Sequence, residues 1–227
     1  MAVDAVIFDW GGTLTPWRRV DYLALWGQVC AAHLGGDSAA DAAVALVAAE
    51  AELWRSAERE HRGATLGDLF ERAGMVPADA LLASYFAAWE PYTFTDPDVP
   101  GLLRDLRARD IKVGVLSNTL WPRAWHEQIF ARDGVLDLID GAVYSSELGT
   151  TKPHQAAFRA AMNAVGAADA GACVFVGDRL YDDVYGAQCA GMRAVHVPHS
   201  SVPHFAGATP DAVIQELAEI SAVIEAW

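Results

Sequence analysis

The sequence predicts an α/β protein with a Rossmann-like parallel β-sheet of about five strands and an all-helical domain inserted after the first strand. Three observations lead to this fold class. Short apolar runs alternate with longer amphipathic segments, which is typical of right-handed βαβ crossovers in a parallel sheet. The first apolar run ends at a carboxylate followed by two glycines. The stretch after it has helical spacing of apolar residues and no strand pattern.

The first predicted strand, residues 3–8, ends directly before Asp9. An apolar run of this length is typical of a buried strand, and open α/β sheets bind ligands at the carboxyl ends of their strands. Gly11 and Gly12 then allow a sharp turn whose backbone N–H groups can bind an anion. Asp9 is therefore a candidate nucleophile or metal ligand, and the alternative is that it only caps the turn.

Residues 19–89 form the helical block, in which Tyr22, Leu25, Trp26 and Val29 recur with the period of a helix. Glycine-containing breaks predict about four helices in this block. The breaks lie at residues 35–38, 62–65 and 74–77.

After a proline-containing linker at residues 93–100, strands and helices alternate again. The further predicted strands are residues 111–116, 142–144, 173–176 and 194–197. The predicted helices are residues 102–110, 122–133, 154–165, 180–190 and 211–226. The core domain is then residues 1–15 and 99–227. We expect the insertion, residues 16–98, to lie as a lid above the carboxyl edge of the sheet.

The composition argues against several functions. The formal net charge is −14, whereas nucleic-acid binding needs clustered Lys and Arg. No apolar run reaches ~18 residues, so no membrane span is expected. The three cysteines lack CxxC spacing and the chain shows no signal-peptide pattern, which predicts a cytoplasmic protein without structural zinc. His196, His199 and His204 match no common metal-ligand spacing and are predicted to lie in a surface loop.

Polar side chains follow the ends of several predicted strands or precede a helix. They are Asp9, Ser117, Asn118, Lys152, Asp178, Asp182 and Asp183. Because the carboxyl ends of parallel strands meet at one edge, we expect these groups to share one crevice. Taken singly, each also has a structural explanation, as an N-cap, a surface charge or a solvated helix start.

The crevice needs positive charge. The chain has only two lysines, Lys112 and Lys152, and the second lies beside the carboxylates. A divalent metal held by Asp9, Asp178 and water would offset their mutual repulsion, and Mg²⁺ prefers such hard oxygen ligands.

These residues, in this order, resemble the four motifs of the haloacid dehalogenase superfamily. The matching motifs are Asp9-Trp-Gly-Gly-Thr13, Ser117, Lys152-Pro153 and Gly177-Asp178-Arg-Leu-Tyr-Asp-Asp183. The helical insertion resembles the C1 cap of that family, and the likeness spans nearly the whole chain. Four ordered motifs are far more specific than any single one.

The resemblance implies a Mg²⁺-dependent hydrolase, most simply a phosphatase of a small phosphorylated metabolite. Asp9 would attack phosphorus and form an aspartyl phosphate, with Ser117 and Lys152 as further catalytic residues. The implied metal ligands are Asp9, the backbone carbonyl of Gly11, Asp178 and, in a supporting role, Asp183. The candidate substrate-binding groups are the backbone at Trp10, Gly11 and Asn118, and the side chain of Arg18.

Gly11 departs from the family pattern. Most phosphatases of the family carry a second aspartate at this position, which protonates the leaving group and later activates water. Loss of a general acid typically costs about 10²–10⁴-fold in rate. Three outcomes are open: a cap residue such as Arg18, Tyr22 or His61 substitutes, the leaving group needs little help, or activity is weak.

Two alternative functions follow from the same residues. The first is a C–X bond hydrolase. Phosphonate-cleaving relatives use a cap lysine, but residues 16–98 contain no lysine. Haloacid dehalogenases use no metal and carry an aromatic residue where Gly11 stands, whereas Gly177-Asp178 favours a metal site. The second alternative is a weakly active homologue that binds phosphorylated ligands or a protein partner. The oligomeric state does not follow from the sequence.

Overall fold

A parallel β-sheet of six strands forms the centre of the computed structural model, which describes residues 3–199 and 204–227. In chain order the strands are β1 (Ala5–Phe8), β2 (Lys112–Ser117), β3 (Gly141–Tyr144), β4 (Cys173–Gly177), β5 (Arg193–His196) and β6 (Ala212–Val213). Their order across the sheet is β3-β2-β1-β4-β5-β6. The strand order reverses beside β1, which is where open α/β sheets bind their ligands.

Both faces of the sheet are covered, and this explains why the strands are continuous apolar runs. In β1, Val6 and Phe8 belong to the core on one face, whereas Ala5 and Ile7 belong to the core on the other. All four β1 residues are fully buried. The carboxyl end of β1 therefore lies in the middle of one edge of the sheet.

Four helices separate β1 from the next core element. They are α1 (Tyr22–His33), α2 (Gly36–Glu60), α3 (Leu66–Arg72) and α4 (Asp79–Ala88), followed by a short 3₁₀ turn at Glu90–Tyr92. The predicted breaks separate these helices, and the insertion has its own apolar cluster around Trp26, Phe70 and Tyr85. Leu120 and Trp121, from the loop after β2, join that cluster, so the insertion packs over the carboxyl edge of the sheet.

The remaining helices flank the sheet. They are α5 (Val99–Ala108), α6 (Arg123–Arg132), α7 (Ser145–Leu148), α8 (Gln155–Val165), α9 (Gly186–Cys189) and α10 (Ile220–Glu225). Single 3₁₀ turns lie at Leu136–Leu138, Ala170–Ala172 and Leu217–Glu219. Within the described residues, no helix has the length and apolar character needed to cross a bilayer.

The structure corrects the C-terminal prediction. Residues 211–226 do not form one helix, because Ala212–Val213 adds an edge strand that pairs with β5. The Asp211 carboxylate accepts the backbone N–H of Ala194 at 2.8 Å and holds this edge in place. Pairing to the sheet therefore outweighs the helical periodicity of the segment. Only the shorter α10 remains helical beyond it.

The predicted helix at residues 180–190 is also more complex than expected. It begins as a π-helical turn at Leu180–Tyr185 and becomes α-helical only at α9. π-helical turns occur frequently at functional sites. This one carries Asp183 at a buried position.

Candidate active site

Asp9 lies at the carboxyl end of β1, and the turn after it fixes its position. Its N–H donates to the carbonyl of Val176 in β4 at 2.9 Å. The turn then closes through a hydrogen bond from the Thr15 N–H to the Trp10 carbonyl at 2.9 Å. Gly12 adopts a φ of 96°, in the left-handed region that favours glycine. Asp9 is held rigidly with its side chain 10% exposed.

Lys152 joins two carboxylates of the site. Its Nζ lies 2.6 Å from Oδ1 of Asp9 and 2.6 Å from Oδ1 of Asp183. The Asn118 side chain holds the lysine backbone from both sides, accepting from the Lys152 N–H at 2.9 Å and donating to its carbonyl at 3.1 Å. The ammonium also lies 5.2 Å from the ring centre of Phe175. A buried cation with these contacts is fixed in position and orientation.

Three buried carboxylates come together at the edge of the sheet. Oxygen atoms of Asp9, Asp178 and Asp183 lie within 4.8 Å of one another. Asp183 is held by the backbone N–H of Arg179, which donates to its Oδ2 at 2.9 Å. The π-helical turn thus returns Asp183 to the strand end that carries Asp178.

Two glycines make room for this cluster. A Cβ at Gly12 would lie 2.5 Å from Oδ2 of Asp178, and a Cβ at Gly177 would lie 2.4 Å from Cγ of Asp183. Both contacts are shorter than real Cβ atoms allow, so any side chain would displace a carboxylate. A Cβ at Gly11, in contrast, would meet nothing within 4 Å. Glycine is therefore required at Gly12 in the turn and at Gly177 at the end of β4, whereas Gly11 has space for a side chain.

The electrostatics of the cluster favour an added cation. Burial raises the pKa of Asp9, while the neighbouring Lys152 ammonium opposes the rise. For Lys152, burial acts to lower the pKa, but Asp183 and Asp9 outweigh it and the pKa is raised. Lys152 therefore remains charged and shared between two carboxylates.

A charge count at this edge gives the same result. The acidic side chains are Asp9, Asp178, Asp182 and Asp183, and the basic ones are Lys152 and Arg179. Four carboxylates against two cations leave an excess of two negative charges when all are ionised. A divalent ion with oxygen ligands fits this donor set in both charge and chemistry.

A cavity of about 420 Å³ opens above the cluster. Its floor is formed by the sheet edge and includes Asp9, Ser117 and Lys152. Its walls come largely from the helical insertion and are rich in aromatic rings. The aromatic lining residues are Trp10, Trp17, Tyr22, Trp54, Tyr85, Trp89, Tyr92 and Trp121.

The structure brings the predicted site residues to this one cavity or its floor. The lining includes Asp9, Trp10, Gly11, Arg18, Ser117, Asn118 and Lys152, while Asp178 and Asp183 lie in the adjoining carboxylate cluster. Of the three suggested substitutes for the missing acid, Arg18 and Tyr22 line the cavity. His61 is not among the residues lining this cavity in the described part of the chain. Its carbonyl instead accepts from Thr150 and Thr151, which ties the insertion to the core.

His196, His199 and His204 take no part in the carboxylate cluster. His196 ends β5 rather than lying in a loop, and its Nε2 donates to the carbonyl of Asp178 at 3.1 Å. His199 Nε2 donates to the carbonyl of Gln215 at 2.8 Å. His204 is exposed.

Sequence reasoning did not identify Arg179 and Glu50 as residues of the cavity. Arg179 lines it and lies near four carboxylates, which raise the pKa of its guanidinium although burial acts against them. Its position directly after Asp178 was the available signal. Glu50 also lines the cavity, from the middle of α2. An acidic residue within an otherwise apolar helix face was the only sign of it.

Four similarities to known proteins bear on this site. The family model of haloacid dehalogenase-like hydrolases matches residues 3–191. A phosphatase of Mycobacterium tuberculosis is 30% identical over 241 residues, covering 99% of this chain and 98% of that protein. The crystal structure of a HAD phosphatase from Thermococcus onnurineus shares the fold, with a TM-score of 0.68 at 23% identity over 98% of both chains. A 2-haloacid dehalogenase from Pseudomonas syringae gives a TM-score of 0.67 at 25% identity over 99% of both chains.

Proposed function

The chain belongs to the haloacid dehalogenase-like hydrolases, and we propose that it is a Mg²⁺-dependent phosphatase of a small phosphorylated metabolite. The observation that carries this proposal is the buried ammonium of Lys152, shared at 2.6 Å between Asp9 and Asp183 beside a third carboxylate. The phosphatase name of the 30% identical relative supports it. The small cavity above Asp9 suits a small substrate.

The proposed metal ligands are Asp9, Asp178 and the carbonyl of Gly11, with Asp183 in support. The donor set is oxygen only and the excess of negative charge matches a divalent ion, so these residues fit Mg²⁺. When bound, the ion would neutralise charge on the phosphoryl oxygens. Because Gly12 has no side chain, the Asp178 carboxylate can occupy its position among these ligands.

The protein's own residues account for the first chemical step. An Asp9 carboxylate oxygen attacks phosphorus, a new P–O bond forms, and the bond to the leaving oxygen breaks. Lys152 holds Asp9 in place and offers positive charge to the phosphoryl group. Ser117 and the backbone N–H groups near Trp10 and Asn118 donate to its oxygens. Water then attacks phosphorus and releases phosphate and free Asp9.

Gly11 affects how the leaving oxygen is protonated. Without a carboxyl at this position, protonation of the leaving oxygen falls to solvent or to a residue of the cavity wall, such as Tyr22 or Arg18. Esters with good leaving groups need little such help. We therefore expect aryl and acyl phosphates to be turned over faster than simple alkyl phosphates.

We further propose that residues 16–98 act as a cap whose closure excludes water from the cavity. The cap supplies most of the aromatic wall, and its cluster includes the core residues Leu120 and Trp121.

The cysteines at positions 30, 173 and 189 are all unpaired, which suits a cytoplasmic location.

A single assay panel tests the proposal. Purified protein is given p-nitrophenyl phosphate or acetyl phosphate with and without Mg²⁺, and Asp9→Asn is assayed in parallel. We expect Mg²⁺-dependent phosphate release that the substitution abolishes. Metal-independent halide release from a 2-haloacid would support the dehalogenase alternative instead. Absence of turnover on the whole panel would support a binding protein.

A further inference from the structure

The helical wall of the cavity contains a buried acid that the proposed chemistry does not use. Glu50 is 8% exposed and lies on the face of α2 that also presents Trp54 and Ala57 to the cavity. The spacing of four residues between Glu50 and Trp54 places them one above the other on the helix. Glu50 therefore lines the same cavity as Asp9, on the wall that the insertion forms.

No cation pairs with Glu50 among the described residues. The indole N–H of Trp26 donates to Oε2 at 3.2 Å, and Trp54 also contributes a hydrogen bond. Both donors are neutral. Burial raises the pKa of this carboxyl, and the two indoles only partly oppose the rise. A buried acid held by neutral donors alone gains most from a positively charged partner.

The basic residues of the cavity are engaged or placed elsewhere. Lys152 is bonded to Asp9 and Asp183, and Arg179 lies 3.4 Å from Asp182. Arg18 and Arg19 are exposed. The cation that would complete Glu50 is therefore not supplied by these side chains.

Aromatic residues line the cavity together with Glu50. Tyr85 stacks on Trp26 with ring centres 4.0 Å apart, and Tyr22 meets Trp89 edge-on at 5.8 Å. Glu50 raises the pKa of both tyrosines, although burial is the larger cause, so both hydroxyls lie within its field. Aromatic faces around a carboxylate attract ammonium and quaternary ammonium groups in particular.

We propose that the leaving group of the substrate carries a cationic nitrogen, bound between Glu50 and the rings of Tyr22, Trp54, Tyr85 and Trp89. The substrate class is then phosphate monoesters of small amino alcohols. This inference rests on the proposed function, because it assigns the part of the substrate that extends from the phosphoryl group at Asp9. Glu50 is in this account a specificity-determining residue and not a proton donor.

Matched substrate pairs test the proposal. Phosphocholine is compared with 3,3-dimethylbutyl phosphate, and phosphoethanolamine with propyl phosphate, because the partners in each pair differ mainly in charge. We expect kcat/KM to favour the cationic ester by at least about tenfold in at least one pair. In Glu50→Gln, which keeps size and an acceptor for Trp26, the preference should fall to about twofold or less.

Glu58→Gln is the matched control, since it removes the same charge from an exposed rim position on the same helix. We expect this variant to keep the preference for the cationic ester. Equal turnover of both esters in each pair by the wild type overturns the inference. So does a preference that survives Glu50→Gln or that disappears in Glu58→Gln.

A binding measurement separates this inference from the proposed function. Choline and 3,3-dimethylbutanol are titrated while tryptophan fluorescence is recorded. Tighter binding of choline, lost in Glu50→Gln, supports the cation site even if no phosphate ester is hydrolysed. Failure of p-nitrophenyl phosphate turnover contradicts only the proposed function. Equal binding of the two alcohols contradicts only the cation site.

Discussion

At the scale of single residues, the site depends on one buried ammonium. Lys152 contacts both Asp9 and Asp183, while Asn118 holds its backbone from the neighbouring strand end. Burying a cation is unfavourable unless it is paired, and here two carboxylates outweigh the cost. The same contacts place the charge 2.6 Å from Asp9, the proposed nucleophile.

Replacement of Lys152 by methionine should lower kcat/KM for p-nitrophenyl phosphate by about 10²–10³-fold, because a positioned charge is lost from the transition state. The matched control is Lys112→Met. Lys112 has a side chain 57% exposed and forms only a surface pair with Asp140 at 3.5 Å. This control should change activity by less than about twofold. Loss of activity below tenfold in Lys152→Met would contradict the role assigned to the ammonium.

A second residue, His126, gives a prediction for pH. It is fully buried beside Trp10 and Thr119, and burial lowers its pKa to about 3 from 6.5. Between pH 6.5 and about 3 the unfolded chain binds a proton at this residue and the folded chain does not. The free energy of unfolding should therefore fall as the pH drops from 6.5 toward 3, by at most ~1.4 kcal/mol per pH unit from this residue.

The free energy of unfolding is measured with urea for the wild type and for His126→Gln, at several pH values from roughly 4.5 to 7. The pH dependence of the difference should correspond to about one proton taken up on unfolding. The difference in unfolding free energy between the two proteins should shift in favour of the variant as the pH falls. A difference that is independent of pH would show that His126 becomes protonated in the folded protein.

At the scale of elements, the turn after β1 and the π-helical turn after β4 bring the carboxylates together. Gly12 and Gly177 lie where a side chain would strike Asp178 and Asp183. The sequence alone predicts the strand ends well, because apolar runs that stop at polar residues are typical of parallel sheets. It does not predict that a π-helical turn returns Asp183 to the cluster, since that depends on how the turn packs against the sheet.

Gly12→Ala should weaken Mg²⁺ binding by about tenfold or more, because its Cβ would push the Asp178 carboxylate out of place. Isothermal titration with Mg²⁺ measures the effect. Gly134→Ala is the control, since Gly134 also has a positive φ, 69°, but its Cβ would meet nothing within 4 Å. Both variants should lose stability through backbone strain. Equal Mg²⁺ affinity in the two variants would contradict the role proposed for Gly12 in positioning Asp178 as a metal ligand.

Gly11→Asp should increase activity rather than reduce it. Gly11 lines the cavity, has space for a Cβ, and is not among the residues with positive φ. An aspartate there can protonate the leaving oxygen. We expect kcat for an alkyl phosphate to rise about tenfold or more, with much less change for p-nitrophenyl phosphate. A uniform change on both substrates would argue against a missing general acid.

At the scale of the whole molecule, the sequence predicted the parallel sheet and the helical insertion because each depends on local periodicity and chain order. It missed β6, since a two-residue edge strand carries too little periodicity to compete with a helix prediction. It missed Glu50, because the direction in which an acidic residue of α2 points depends on how the insertion packs. The resemblance to known motifs suggested the roles of the site residues, and the structure gave the distances between their side chains.

Charge is distributed unevenly over the molecule. The net charge is −14, yet Lys152 and Arg179, together with the rim residues Arg18 and Arg19, line the cavity above Asp9. An anionic substrate can therefore meet local positive charge on a negative protein.

Mass spectrometry of the acid-quenched reaction can show whether Asp9 attacks phosphorus. Wild-type protein and Asp9→Asn are mixed with acetyl phosphate and Mg²⁺, quenched and digested. We expect a phosphoryl adduct on the wild-type peptide at Asp9, absent from the variant and from samples without Mg²⁺. Steady phosphate release with no adduct on that peptide at any quench time, or an adduct that persists in Asp9→Asn, would contradict the account.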